Sequence, residues 1–256
     1  MTIAADPAAL RRQRLGAVIN ELRRRADELE TQHDGRCVFT RTYARMTLRL
    51  ADCLEDGRFD NPEWVTSLAE AFVARYRAAL DGTSNSRAWK EVFAAITGRR
   101  PRTSVIEDLV FAMTAHIVRD LPYALRDADF LAPGPSRIHD FHAVNAIMGE
   151  ALEDIQADIS QRYSPAVKVF DRLGKRYDEI LTGYGIRLSR GMAWYNAMRL
   201  SDPTSRSDAA RSIEESPLVF MRNVLSPKLW PIGIMLRAMR VIASFGRRWP
   251  AAESGT

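Results

Sequence analysis

Cysteine is scarce: Cys37 and Cys53 stand alone in 256 residues, in no CxxC pair and no Cys/His cluster. A disulfide framework is thereby excluded, and both read as reduced, buried thiols of a cytosolic protein. Long hydrophobic runs are missing too. No stretch approaches the roughly 20 uncharged apolar residues of a membrane-spanning helix, and the first thirty residues are charged throughout, so no signal peptide is expected. Alternating β-branched runs joined by two-residue turns do not occur, which removes hairpin-based folds. The P-loop, GxGxxG, nucleophile-elbow, kinase, HExxH and DDxxD patterns are all lacking. A nucleotide-dependent kinase, a Rossmann oxidoreductase, a serine hydrolase and the usual magnesium-dependent terpene synthase are therefore not expected, and neither is a nucleotide cofactor.

What is present is helix periodicity. With 46% hydrophobic and 27% charged residues the chain can bury a sizeable core. Apolar residues recur at three and four positions almost everywhere, as in Leu15, Val18, Ile19 and Leu22, or Leu68, Phe72, Tyr76 and Leu80. The pattern predicts an all-α fold, a single multi-helix bundle of about ten helices at about 8–30, 39–55, 61–80, 86–97, 103–128, 140–162, 166–183, 185–200, 207–224 and 228–247. Breaks carry stop and start chemistry, including Gly57 to Pro62 and Gly82 to Ser86, with Asn61-Pro62-Glu63 as a capped start. We expect an N-terminal helical extension (1–36), a helical core domain (37–227), and a basic amphipathic C-terminal helix and tail (228–256).

The charge distribution supports that division. The net charge is +5, yet from Pro217 to Thr256 six basic residues face one acid, Glu253, which leaves 31 of each sign upstream. The Arg-rich opening is nearly balanced by acids at helical spacing and reads as a solvated helix. No zinc-finger spacing, aromatic RNA-binding signature or single-sign groove accompanies it, so nucleic acid is not expected as a partner. In the tail, Arg237, Arg240, Arg247 and Arg248 recur opposite Ile234, Leu236, Met239 and Phe245, with Trp230 and Trp249 near the ends. Two readings stand: a final helix docked on the bundle, or peripheral contact with an anionic membrane through 228–249.

Three polar groups do not fit a plain bundle. His116 and Asp120 lie four apart on one face of an apolar helix, where a carboxylate must be paired or bound to a metal. An ion pair with His116, Arg119 or Arg126 is the plain alternative. After the loop Pro133–Ser136 come His139, Asp140, His142 and Asn145, with Asp140 also placed to cap a helix. Antiparallel helices would bring both groups together, and imidazole with carboxylate is a ligand set for zinc, iron or manganese. The third group, Asp178, Arg187, Arg190 and Trp194, suits anion binding or stacking, or else an Asp178–Arg ion pair between helices.

The strings FDNPEWVTSLAEAFVARY (59–76), SRAWKEVF (86–93), AHIVRDLPYAL (115–125), DFHAVN (140–145) and YDEILTGYGIRLSRGMAWYNA (177–197) resemble a bacterial all-helical family known as a domain of unknown function, over about Cys37 to Leu229. The resemblance implies that His116, Asp120, Pro122, Asp140, Asn145, Asp178, Arg190 and Trp194 match its pattern. It supplies no activity. AHIVRDLPYAL alone resembles a zinc-binding stretch of the zinc-dependent phospholipase C and single-strand nuclease group. That group has a further histidine after the proline, where this chain reads Tyr123, Ala124, Leu125, so at most one or two metals would fit.

The first expectation is a metal-dependent enzyme, hydrolytic, acting on an ester of a hydrophobic or anionic small molecule. Its metal ligands and catalytic groups would be His116, Asp120, Asp140 and His142, with His139 as an alternate. Arg187 and Arg190 would hold an anionic group, Trp194 would stack on or close the pocket, Asn145 would orient a ligand, and Asp178 would contribute to substrate binding. The alternatives are a metal-free helical protein that binds or isomerises or cyclises a small or lipid-like molecule, and a non-catalytic interaction protein with a buried polar network. A cytoplasmic location, with or without peripheral membrane contact, is expected.

Overall fold

The computed structural model describes residues 6–97, 103–133, 137–164, 183–226, 247 and 249. These residues form helices, with no strand among them, as the periodicity predicts. They are α1 (Pro7–Thr31), α2 (Arg36–Glu55), α3 (Pro62–Leu80), α4 (Arg87–Ile96), α5 (Val105–Thr114), a π-helical turn (Ala115–Asp120), α6 (Leu121–Asp127), α7 (Arg137–Glu150), α8 (Leu152–Arg162), α9 (Gly183–Ser201) and α10 (Arg206–Leu225). The helices expected at 166–183 and 228–247 lie outside the described residues, apart from Gly183 and Arg247. Among the described residues no helix is long and apolar enough to cross a membrane.

Local chemistry sets the boundaries. Asp6 accepts from the Ala8 N–H ahead of Pro7, Ser86 accepts from Trp89 N–H, and Ser104 with Glu107 forms a reciprocal capping box. Gly57 and Gly82, both at φ 71°, end α2 and α3 in the left-handed region that lacks a Cβ penalty. Asn61 sits at the start of α3 but makes no side-chain cap; its polar groups are taken up elsewhere, as described below.

Two expectations about continuous helices are corrected. The segment expected at 140–162 is two helices that break at Ala151. The segment expected at 103–128 is interrupted by the π turn, in which Leu121 N–H reaches back five residues to the His116 carbonyl. Pro122 supplies the reason. It brings no N–H, and in an α-helix its ring would meet the Val118 carbonyl, so a wider turn before it relieves the clash.

The core has two main parts and a small third cluster of Leu200, Ala209 and Ile213. One main part is centred on Phe39, Tyr76, Trp89, Phe111 and Tyr163, the other on Trp64, Leu68, Leu121, Leu125, Phe141 and Ile147. Within the first expected segment, α1 buries Leu15 in the second part and Leu22 and Leu29 in the first. Its arginines form ion pairs, Arg24 with Glu28 within the helix and Arg12, Arg14 and Arg25 with α2, α3 and Asp81. Met113 packs against both parts, so the α5–π–α6 rod runs along their seam.

Two buried polar networks brace the first part. Glu30, fully buried, accepts from Arg162 Nε (3.0 Å) and Nη2 (2.9 Å), from Arg41 Nη2 (3.0 Å), and from the Tyr163 hydroxyl. Burial alone would raise its pKa, but these donors outweigh it and hold the carboxyl below its usual value. Near the start of α2, Asp108 accepts from Thr103 and pairs with Arg247, whose guanidinium lies 4.7 Å from the Trp249 ring. Burial pushes the Asp108 carboxyl up to about 6 despite Arg247. A Cβ at Gly35 would lie 2.7 Å from Arg247 Nη2 and from Ile96, so this close packing requires glycine there. Arg247 is thus buried rather than solvated, and Trp249 stacks near His33 at 5.2 Å.

Candidate functional site

The π turn places His116 at the seam, facing an apolar cavity of about 120 Å³. Its walls come from α2 (Phe39, Tyr43, Met46, Leu50), α3 (Leu68, Phe72), the rod itself (Met113, Ile117, Leu121) and α7 (Val144, Ile147, Met148), with Arg190 of α9 also lining it. Thr42 and Thr47 bond their own helix carbonyls, so their hydroxyls are already used.

His116 is held in one pose. Its ring stacks on Phe72 with centroids 3.5 Å apart and planes 6° apart, and the Tyr43 ring meets it edge-on at 4.6 Å. Asp120 Oδ2 lies 3.0 Å from His116 Nδ1 and accepts from Trp89 Nε1 at 2.8 Å; Oδ1 accepts from Arg119 Nη1 at 2.9 Å. A carboxylate so placed fixes the imidazole proton on Nδ1. Nε2 is then an acceptor, buried and without a partner. Burial lowers the His116 pKa below its ordinary value, against the opposing pull of Asp120, which keeps the ring neutral. The expected ion pairing of Asp120 is therefore present through Arg119, while the neutral His116 ring adds a hydrogen bond; Arg126 is exposed. The Tyr43 hydroxyl has no hydrogen-bond partner among the described residues, and burial raises its pKa well above the ordinary value, so it keeps its proton.

The second expected group is divided. Asp140 is buried, but its carboxylate accepts from Asp60 N (2.8 Å), Asn61 N (2.7 Å) and Asn61 Nδ2 (3.1 Å), fastening the loop ahead of α3. His142 is exposed, 3.4 Å from Asn145 Nδ2. The four-residue ligand set of His116, Asp120, Asp140 and His142 is thus not assembled. Among the described residues, the group of three with ligand atoms all within 4.8 Å of one another is Asp60, His139 and Asp140, where His139 Nδ1 is 2.9 Å from Asp60 Oδ2 and both of these are exposed.

The third group is divided as well. Arg190, only 4% exposed, donates from Nε to Asn145 Oδ1 (2.6 Å) and from Nη2 to the Phe141 carbonyl (3.0 Å), with its guanidinium 4.2 Å over the Phe141 ring. Asn145 is buried and orients this arginine. Arg187 is exposed and does not line the cavity. Trp194 packs against Phe130 and Phe141, both at 4.9 Å, within the second part of the core, and does not close the cavity. Asp178 lies outside the described residues.

Sequence reasoning missed Phe72, Trp89 and Tyr43. All three look like ordinary core aromatics on a helical stripe, and only their approach to His116 from other helices distinguishes them.

Residues 15–227 match a family of unknown function (DUF5995), and the chain belongs to that family. No curated protein and no solved structure proved similar to it.

Proposed function

We propose that the protein is an enzyme that moves a proton on a hydrophobic small molecule, as an isomerase or cyclase does, with His116 as general base. One observation carries the reading: a buried, neutral imidazole, oriented by Asp120, belongs to a residue that lines an apolar cavity and keeps its Nε2 without a hydrogen-bond partner. Buried polar atoms are normally satisfied, so an orphan at a cavity wall marks a place for a substrate atom. Nε2 takes the proton; Asp120 stabilises the imidazolium through Nδ1, as in triad-type sites. The imidazolium then gives that proton back at a second atom of the substrate, which leaves His116 neutral again. The expected hydrolytic reaction on an ester would use the same base, with water as the proton donor.

A divalent metal has less support at this place. Both oxygens of Asp120 and Nδ1 of His116 already have partners, whereas Asp60, His139 and Asp140 form a separate cluster in which the first two are exposed and Asp140 is buried. A cell extract of small molecules incubated with the EDTA-dialysed protein should show compounds that change retention time without changing mass. His116→Gln should abolish this conversion, by about 10²–10⁴-fold in rate. Conversion lost on dialysis and restored by zinc or manganese would overturn the metal-free mechanism, and conversion that survives in the variant would overturn the base.

A further inference from the structure

We infer that the cavity recognises a monoanionic amphiphile, a carboxylate on a small apolar body, with Arg190 as its counter-ion. The inference rests on the reading of the cavity as a ligand site and goes on to name the ligand's charge and class.

The observation is an uncompensated buried charge. Arg190 is nearly fully buried and lines the cavity, yet its hydrogen bonds go to neutral oxygens, those of Asn145 and Phe141. Among the described residues no carboxylate pairs with it, and burial alone pushes its pKa down to about 9. The guanidinium remains a cation near neutrality, and a buried cation without an anion is strongly unfavourable. Other buried arginines of this chain do not share its state: Arg247 has Asp108, and Arg119 has Asp120 and Glu214. Nε and Nη2 are occupied, which leaves Nη1 as the edge for a ligand, while the Phe141 ring and Asn145 fix the plane of the fork.

The charge count selects the class. Among the described residues that line the cavity Arg190 is the one cation, and none of them is an acid. One guanidinium neutralises one negative charge; a phosphate monoester dianion would leave a net charge in an apolar enclosure. The size sets the body. A cavity of about 120 Å³ is close to the roughly 150 Å³ apolar void that takes up benzene in another protein. The apolar walls then accept a ring or a short chain, and His116 faces that body rather than the carboxylate's solvent shell.

The test uses the full chain with benzoate, cyclohexanecarboxylate and hexanoate, each against its neutral primary amide, and phenyl phosphate as the dianion. Melting temperature and calorimetric titration at pH 7 should show the best carboxylate binding at least about tenfold more tightly than its amide, with a rise in Tm of roughly 3 °C or more at saturation. Phenyl phosphate should bind more weakly than benzoate. Arg190→Met should reverse the order, so that the amide binds better than the carboxylate, and Arg190→Lys should restore part of the carboxylate preference. The wild-type carboxylate and amide comparison needs no variant to fold. If the amides bind as well as the carboxylates, the charge inference fails and the ligand cavity stands. If no probe binds at all, both fail.

Discussion

Glu30 and Arg190 are both charged groups removed from water, and the fold treats them in opposite ways. Around Glu30 every carboxylate oxygen has donors, from Arg41, Arg162 and Tyr163, so the group joins α1, α2 and α8 and has no capacity left for anything else. Around Arg190, and around His116 across the same cavity, a polar atom is left over. A satisfied network is a brace; an unsatisfied one holds a place for a molecule that is not part of the chain. The contrast separates structure from chemistry in a protein whose buried polar residues would otherwise all look alike.

Breaking the brace should have the largest effect. Glu30→Ala removes the acid that faces two arginines and a tyrosine, and we expect a loss of about 3–5 kcal/mol in urea unfolding, with the cavity's ligand preference retained in whatever folds. A loss below about 1 kcal/mol would mean that the network is ornamental. A smaller effect sharpens the other side. Because burial lowers the His116 pKa, the unfolded chain takes up a proton near its usual value of about 6.5 while the folded chain does not. Stability tied to the neutral ring is thus present above that pH and lost as pH falls below it. Unfolding followed from about pH 7 to about pH 5 should show the wild type losing more stability than His116→Gln; parallel curves would place the ring in contact with water. The smallest effect is expected at Arg190. Arg190→Met should change the folding free energy by no more than about 1 kcal/mol in either direction, because the substitution removes an uncompensated charge along with two hydrogen bonds. A loss of several kcal/mol, as for Glu30, would show Arg190 to be a second brace.

The all-α class and most helix boundaries were legible because they depend on local chemistry: apolar spacing, Pro62 at a helix start, and the glycines that end α2 and α3. The His116–Asp120 pair was legible for the same reason, as four residues on one helix always share a face. What lay between helices was not. Asp140 and His142 share one helix turn, yet one turns inward to hold the α3 loop and the other faces water, and nothing in DFHAVN distinguishes them. Trp89 is 27 residues before His116 and meets the same oxygen of Asp120 as His116 does only because α4 packs on the rod. Arg187 and Arg190 lie three apart, close enough on a helix to suggest a joint role, but the burial boundary passes between them. The π turn was hidden because Pro122 within a helical pattern signals a break, a kink or a widened turn without saying which.

That widened turn amounts to one residue slipped into an otherwise regular helix. Downstream of it, every side chain is rotated by roughly 100° relative to an uninterrupted α-helix, which lets α5 serve the first part of the core and α6 the second. Shortening the chain by one residue between 115 and 120 would leave a perfectly good helix and still be ruinous, since Leu121, Ala124 and Leu125 would swing out of phase with α3 and α9. Chain length is therefore as constrained here as residue identity, and an insertion or deletion harmless in the loop after α3 would disconnect the two halves of the protein.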